Sequence, residues 1–104
     1  MRAILIDAVN HTVTEIQHKG DLDAIYRSLN VEMIEVGHYD QETGDTMYVD
    51  EEGLINGTEF GFTLFNREYM GSGIIFGSTP EGENAAAVTD IKKIKPIFFK
   101  LERV

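Results

Sequence analysis

The sequence of 104 residues contains no cysteine. It therefore has no disulfide, no thiolate nucleophile and no cysteine-ligated zinc or iron–sulfur site, which is typical of a protein from a reducing compartment. No apolar run approaches the about 18 residues of a membrane span. The opening segment reaches Asp7 too early for the apolar region of a signal peptide and lacks a small-residue cleavage site. These absences predict a cytoplasmic protein that does not cross a membrane.

Basic residues are scarce, with 9 Lys and Arg against 18 Asp and Glu, which gives a net charge of −9. None occurs between Arg27 and Arg67, an interval that contains the acidic residues Glu32, Glu35, Asp40, Glu42, Asp45, Asp50, Glu51, Glu52 and Glu59. Such a segment repels phosphates and anionic lipids, so neither direct nucleic-acid binding nor membrane-surface binding is predicted. Two interpretations stay open: the acidic residues only solubilise the protein, or they form a face that docks on a basic partner.

Prolines are also few, at 2, whereas hydrophobic residues make up 42% of the chain, including 6 Phe and 4 Tyr. This composition favours a folded domain over a disordered segment. The length suits one domain of ordinary size, and no repeat or linker divides the sequence. Residues 1–104 are therefore predicted to form a single domain.

The first third of the chain predicts a β-hairpin and then a helix. Residues 2–17 are rich in strand formers on both sides of an Asn10–His11 turn. Val13 and Ile16 are three residues apart, so in a regular strand their side chains would point to opposite faces of the sheet. The register of the hairpin therefore stays open, and a bulge would account for the spacing. Residues 21–30 carry capping residues at both ends and one apolar helical face, made of Leu22, Ile25, Tyr26 and Leu29.

The remaining sequence predicts further strands with short connections. These are a hairpin of 31–39 with 46–50, a strand at 74–77, a mobile loop at 78–87, a final strand at 97–101, and short helical turns near 58–68 and 89–95. The predicted fold is α+β, a mixed and mostly antiparallel sheet of about five to six strands with one short helix packed on it. Its predicted core is Ile4, Ile6, Val13, Leu22, Ile25, Leu29, Met33, Ile34, Val49, Phe62, Leu64, Phe65, Ile75, Phe76, Ile97, Phe99 and Leu101.

A candidate binding surface centres on the segment 48–57, which leaves a strand through an acidic turn and re-enters apolar sequence. The predicted binding residues are Asp50, Glu51, Glu52, Asn56 and Arg67. The alternative interpretation is purely structural: a strand, a glycine turn and a core-filling segment.

Catalytic and metal sites lack a matching pattern. The three histidines, His11, His18 and His38, fall at turns and at a strand end, where exposed residues are common. The loop 40–45 is acidic, and counted from Asp40 it places Glu51 at the twelfth position of a calcium-binding EF-hand, but the sixth position is Asp45 instead of the required glycine. A specific EF-hand is therefore excluded, whereas weak adventitious cation binding stays open. Gly71-Ser72-Gly73 is followed by strand-forming residues rather than by the helix that a phosphate loop requires. No catalytic residue, metal ligand or cofactor is predicted.

Several short motifs occur in a characteristic order: the strand Arg2–Asp7, the helix Leu22–Leu29, the acidic turn Asp50–Gly53 followed by Asn56, and the strand Gly71–Gly77. In this order they resemble a family of small uncharacterised domains carried by phages, prophages and their bacterial hosts. The resemblance covers most of the chain and departs at 40–45 and 92–104. It implies a mobile-element context and supplies no activity.

Three functional hypotheses follow. The first is an acidic accessory protein, phage-encoded if the resemblance extends to its source, that docks on a basic site of a host protein. The second is a small-ligand domain, with a nucleotide-like ligand between loops 50–57 and 78–88. The third is a small hydrolase or metal enzyme, for which the sequence supplies no clustered site. A homodimer is a further expectation, because edge strands and exposed aromatic residues often pair in small domains.

Overall fold

The computed structural model describes residues 1–53 and 58–101. Within them the chain forms strands β1 to β9, one α-helix and one short 3₁₀ turn. In chain order these are β1 Arg2–Asp7, β2 Thr12–Gln17, α1 Leu22–Leu29, β3 Ile34–Tyr39, β4 Thr46–Asp50, β5 Phe60–Leu64, β6 Arg67–Met70, β7 Gly73–Ser78, β8 Asn84–Ala85, the 3₁₀ turn Ile91–Lys93 and β9 Ile97–Lys100.

The strands form two antiparallel sheets. The larger one has the order β2-β1-β7-β4-β3, and the short β8 pairs with the end of β7. The smaller one has the order β6-β5-β9. The α+β prediction is confirmed, whereas the division into two sheets was not foreseen.

The large sheet lies between α1 and the small sheet, so both faces of its central strands are covered. On one face, Ile25 and Leu29 of α1 pack with Ile74 and Phe76. The opposite face packs against the small sheet in a second core cluster: Ile4, Ile6, Ala8, Met47, Val49, Phe62, Leu64, Tyr69, Ile75, Ala87 and Ile94. Two buried faces explain why β7, which lies in the middle, is apolar at successive positions.

The two covered faces also explain why Val13 and Ile16 of the first hairpin are both apolar although they point to opposite faces of the sheet. The β1–β2 register is regular, with Val13 opposite Ile6 and Ile16 opposite Ala3. Val13 packs against the cluster under the small sheet, and Ile16 packs against the cluster under α1. No bulge is required in this hairpin, because an apolar residue on either face of the sheet finds a core.

The helix begins and ends as the sequence predicts. The Asp21 side chain accepts a hydrogen bond from the Ala24 N–H at 2.7 Å, and Asn30 adopts a left-handed conformation with φ of 56°. Ile25 and Leu29 are buried, but Leu22 lies in the first turn and stays 54% exposed. The helix is therefore anchored by the middle and the end of its apolar face. No helix in the described part of the chain is long and apolar enough to cross a membrane.

The helical turn predicted near 58–68 is wrong. This region forms the β5–β6 hairpin, whose turn residues Phe65 and Asn66 have φ of 52° and 63°. Two successive positive φ values match the right-handed twist of a hairpin, so this turn continues the sheet. The helical turn predicted near 89–95 is confirmed as Ile91–Lys93.

The predicted core also needs correction at five positions that are exposed: Leu22, Met33, Phe65, Ile97 and Leu101. Met33 precedes β3, and Ile97 begins the edge strand β9, so neither is covered by a neighbouring layer. Buried positions absent from the prediction are Ala3, Ala8, Ala24, Met47, Tyr69, Ile74, Ala87 and Ile94. Most of these are small or lie where two layers meet, which no local pattern reveals.

Candidate functional site

The outermost strand β3 and its flanking turns bring together most of the cation-free part of the chain. We define the acidic edge as the exposed carboxylates Glu32, Glu35, Glu42 and Glu51 together with the exposed apolar residues Met33, Val36 and Tyr39. Glu32 and Met33 precede the strand, and Glu42 follows it. Glu51 joins the edge because its N–H donates to the Met33 carbonyl at 3.2 Å.

The apolar members of the acidic edge are large and open to solvent. Val36 is 56% exposed, Tyr39 53% and Met33 47%. Val36 and Tyr39 lie opposite Tyr48 and Thr46 of β4, so they share the sheet face on which α1 packs. The helix packs against the central strand β7, and Val36 and Tyr39 stay exposed on the same face. Large exposed apolar side chains among unpaired charges are typical of an interaction surface.

The carboxylates of the acidic edge have no basic counterpart. No Lys or Arg of the described chain forms an ion pair with Glu32, Glu35, Glu42 or Glu51; the ion pair that does form joins Arg2 to Glu15 on β2, at the opposite edge of the sheet. Arg67 is the cation that comes near β3. Its Nη1 donates to the Gly37 carbonyl at 3.3 Å, and its guanidinium lies over the Tyr69 ring.

Two acidic residues of the cation-free segment have structural roles instead. The Asp45 carboxylate, 4% exposed, accepts hydrogen bonds from the N–H groups of Val88 and Thr89 and from the Thr89 hydroxyl. Asp40 accepts from the N–H groups of Glu42 and Thr43 and so shapes the β3–β4 loop. Two of the acids in the loop 40–45 therefore bind backbone groups, those of the loop itself and those of residues 88–89.

Four of the predicted binding residues, Asp50, Glu51, Glu52 and Arg67, are described, and Arg67 lies apart from the other three. Asp50 is 8% exposed and its carboxylate accepts the Glu52 N–H at 2.8 Å, which closes the acidic turn. Glu51 is exposed and Glu52 is half-buried. Asn56 lies outside the described residues. Arg67 begins β6, whose far end at Met70 lies against Gly53, so about 10 Å of strand separates Arg67 from the acidic turn.

A cleft of about 660 Å³ opens at the end of the large sheet where α1 ends. Its described lining is Leu5, Asp7, Ala8, Val9, Asn10, Ser28, Leu29, Asn30, Val31, Glu32, Asp50, Thr58, Phe60, Gly71 and Ser72. The volume is in the range of small-molecule sites. These residues include three carboxylates and neither Lys nor Arg, so the cleft disfavours phosphates.

The Asp7 carboxylate, which lines the cleft, accepts three hydrogen bonds. Burial acts to raise its pKa, but hydrogen bonds from the Asn10 side chain and from the N–H groups of Asn10 and Val9 outweigh it, and the pKa of Asp7 is lowered. Asp7 therefore stays charged at neutral pH and orders the turn that leaves β1.

Of the pocket predicted between loops 50–57 and 78–88, residues 54–57 lie outside the described part of the chain, and the described residues on its two sides are far apart. Val49 lies opposite Gly73 at one end of β7, whereas the Ser78 hydroxyl donates to the Gly44 carbonyl at the other. The loop after Ser78 is thus a strand length away from Asp50. Asp50 nonetheless lines the cleft, whose other walls come from the β1–β2 turn and the end of α1.

The three histidines contact three separate aromatic rings. His11 stacks on Phe98 with centroids 5.0 Å apart, and His38 stacks on Phe65 at 3.8 Å. His18 meets Phe76 edge-on at 5.0 Å. Among the described residues no group of three or more His, Cys, Asp or Glu side chains converges as metal ligands would.

A family model described as a domain of unknown function, DUF3846, matches residues 1–98. Comparisons with curated proteins and with solved structures gave no match. The family match spans every layer of the fold, including the acidic edge and the cleft.

Proposed function

The chain belongs to the DUF3846 family of unknown function, and from its surface we propose that it is a binding protein whose acidic edge docks on a basic surface of a partner protein. The single observation that carries the proposal is the composition of this edge. Along this edge lie four exposed carboxylates that form no ion pair within the described chain and three apolar side chains that are about half exposed. The apolar residues would supply the buried centre of an interface, and the carboxylates would supply its charged rim.

The negative charge of the acidic edge favours a partner with a positively charged surface. Complementary charges steer association and exclude partners of like charge, so a surface bearing Lys and Arg is favoured and nucleic acid is not. A phage or other mobile-element source would make that partner a host protein. Phage carriage, the cytoplasmic location and a homodimer remain predictions.

The test is a pull-down from a host lysate in low and high salt, followed by direct binding measurements on each partner that is identified. The decisive variant carries Glu32→Lys, Glu35→Lys and Glu51→Lys. A matched control carries Asp23→Lys, Glu81→Lys and Glu83→Lys, which change the net charge equally at exposed positions in α1 and the β7–β8 turn.

We expect affinity to fall steeply with salt and to be lost in the edge variant alone, because close charge pairs at the interface would become repulsive. Equal weakening by both variants would show that net charge, not this edge, drives binding. A partner that is retained by the edge variant at low salt would contradict the proposal.

The cleft favours a second candidate function, the binding of a small ligand. Its carboxylates point to an amine or another cation rather than to a nucleotide, and its apolar residues, such as Leu29 and Phe60, would contact a hydrocarbon part. A thermal-shift panel of diamines and nucleotides tests this. We expect amines to raise the melting temperature of the wild type more than that of Asp7→Asn, and nucleotides to have no effect. Stabilisation by nucleotides alone would overturn the assignment.

A further inference from the structure

The backbone of β3 presents an unpaired edge at two alternate residues. The Glu51 N–H donates to the Met33 carbonyl, and Ile34 and Glu35 lie opposite Asp50 and Val49. In an antiparallel ladder, hydrogen-bonded positions alternate, so Met33 and Glu35 direct their backbone groups towards β4. The N–H and C=O groups of Ile34 and Val36 therefore point away from the sheet, where no strand of the described chain follows.

A bulge limits this open edge. The register shifts between Val36 and His38, and the Gly37 carbonyl turns towards the small sheet, where it accepts the Tyr69 hydroxyl at 2.9 Å and Arg67 Nη1. Bulges interrupt strand pairing, so a strand that pairs with Ile34 and Val36 cannot continue in register past Gly37. The part of β3 that can pair with another strand is therefore short and ends before Gly37.

The two faces of this stretch differ in chemistry. The Val36 side chain lies on the α1 face, beside the exposed Tyr39. Glu35 lies opposite the buried Val49 and therefore on the face of the small sheet, where it is exposed and forms no ion pair with a described Lys or Arg. Side chains of a strand alternate between faces. A strand paired with β3 would place apolar residues beside Val36 and Lys or Arg beside Glu35.

We infer that the partner contributes an extended segment with alternating apolar and basic residues, which adds to the large sheet beside β3 at Ile34 and Val36. This inference rests on the proposed function and specifies how the acidic edge would bind. Main-chain hydrogen bonds would supply affinity, and the alternation of side chains would supply specificity. Pairing of β3 with a second copy of β3 is disfavoured, because it would bring Glu35 and its neighbouring carboxylates towards the same groups of the copy.

The test uses a synthetic peptide of alternating Lys and Val, about six residues long, and two proline variants of the full chain. Val36→Pro removes an outward N–H from β3 and keeps every charge of the acidic edge. Gln17→Pro is the matched control on the opposite edge. Met1 and His18 exchange hydrogen bonds across β1 and β2, so the Gln17 N–H also points outward. Circular dichroism would first establish that both variants fold.

We expect Val36→Pro to weaken peptide binding about tenfold and Gln17→Pro to leave it within about twofold, as for the loss of one interfacial hydrogen bond. Amide exchange on the wild type provides a second measurement. With the peptide bound, the Ile34 and Val36 amides should gain protection, and the Glu35 amide, already directed at β4, should not change. If Val36→Pro fails to fold, a peptide N-methylated at alternate residues replaces it and should bind about tenfold more weakly.

The outcomes separate this inference from the proposal on which it rests. Binding that is lost in the triple Lys variant but unaffected by Val36→Pro and by N-methylation would overturn strand addition and leave acidic docking intact. If the peptide does not bind but a partner protein is still captured through the acidic edge, strand addition is likewise overturned and acidic docking stays intact. A concentration-dependent dimer abolished by Val36→Pro would identify a second copy as the occupant and overturn the basic segment.

Discussion

At the scale of single residues, Asp45 connects two distant parts of the chain. Its buried carboxylate holds the N–H groups of Val88 and Thr89 across 43 and 44 residues of sequence. Asp45→Ala would leave these donors without their charged acceptor. We expect a loss of about 3 kcal/mol in the free energy of unfolding, measured with urea. Glu42→Ala, at an exposed site in the same loop, should stay within about 0.5 kcal/mol, and an equal loss in both would contradict this role.

Asp7 makes the stability of the folded protein depend on pH in the acid range. Its pKa is lowered in the folded state by hydrogen bonds that outweigh burial, so the stabilisation is complete above the unfolded pKa, near 3.8, and is lost as pH falls through the folded value. Asp7→Asn removes this titration while its side-chain carbonyl still accepts from the turn. Urea unfolding at pH 6 and pH 3 should show a smaller acid loss in Asp7→Asn than in the wild type. Glu42→Gln serves as control, and an unchanged acid loss in Asp7→Asn would count against the hydrogen-bonded carboxylate.

The sequence could not predict the role of Asp45, because its partners lie far away in the chain. Within the loop 40–45 it looks like one more solvated acid. The capping residues Asp21 and Asn30 were predictable, since a cap depends on neighbours within one turn of the helix. The burial of the candidate binding residue Asp50 was not predictable for the same reason. Asp50 looked exposed in an acidic turn, and only the tertiary structure shows it to be buried.

At the scale of elements, the small sheet depends on a close approach at Gly61. A Cβ at this position would meet the Tyr69 carbonyl of β6 and lie 2.7 Å from the Phe99 ring of β9. Because a backbone atom cannot move aside as a side chain can, Gly61→Ala should destabilise the protein by about 2 kcal/mol or more. Thr63→Ala, two residues along the same face of β5, should cost about 1 kcal/mol or less. Equal unfolding midpoints for the two variants would refute this packing.

Elements defined by local signals were predicted better than those defined by pairing. The helix and the two hairpins of the large sheet follow from periodicity, caps and polar turns. The β5–β6 hairpin was missed because its turn places Phe65, a large aromatic residue, at positive φ, where Gly or Asn is expected. The exposed edge of β3 could not be foreseen either, since Met33, Val36 and Tyr39 have the composition of a core strand.

At the scale of the whole molecule, the charge of −9 is poorly compensated. In the described chain one ion pair forms, and the acidic edge has none. Repulsion among these carboxylates opposes the compact state, and salt screens it. We expect the melting temperature to rise between about 0.02 and 0.3 M NaCl. The triple Lys variant of the acidic edge, with its lower net charge, should show a smaller rise. A melting temperature that falls with salt would show that attractive pairs dominate instead.

The position of β7 at the centre of the large sheet has a consequence for how the chain folds. Four of the strands in that sheet precede β7 in the sequence, as two separate hairpins that meet only through it. During synthesis each hairpin waits with an unpaired edge until residues 73–78 leave the ribosome. Ile4 then pairs with Ile75 across most of the chain, and pairings between residues so far apart in sequence slow folding. The emerging polypeptide is thus most vulnerable to aggregation just before its central strand arrives.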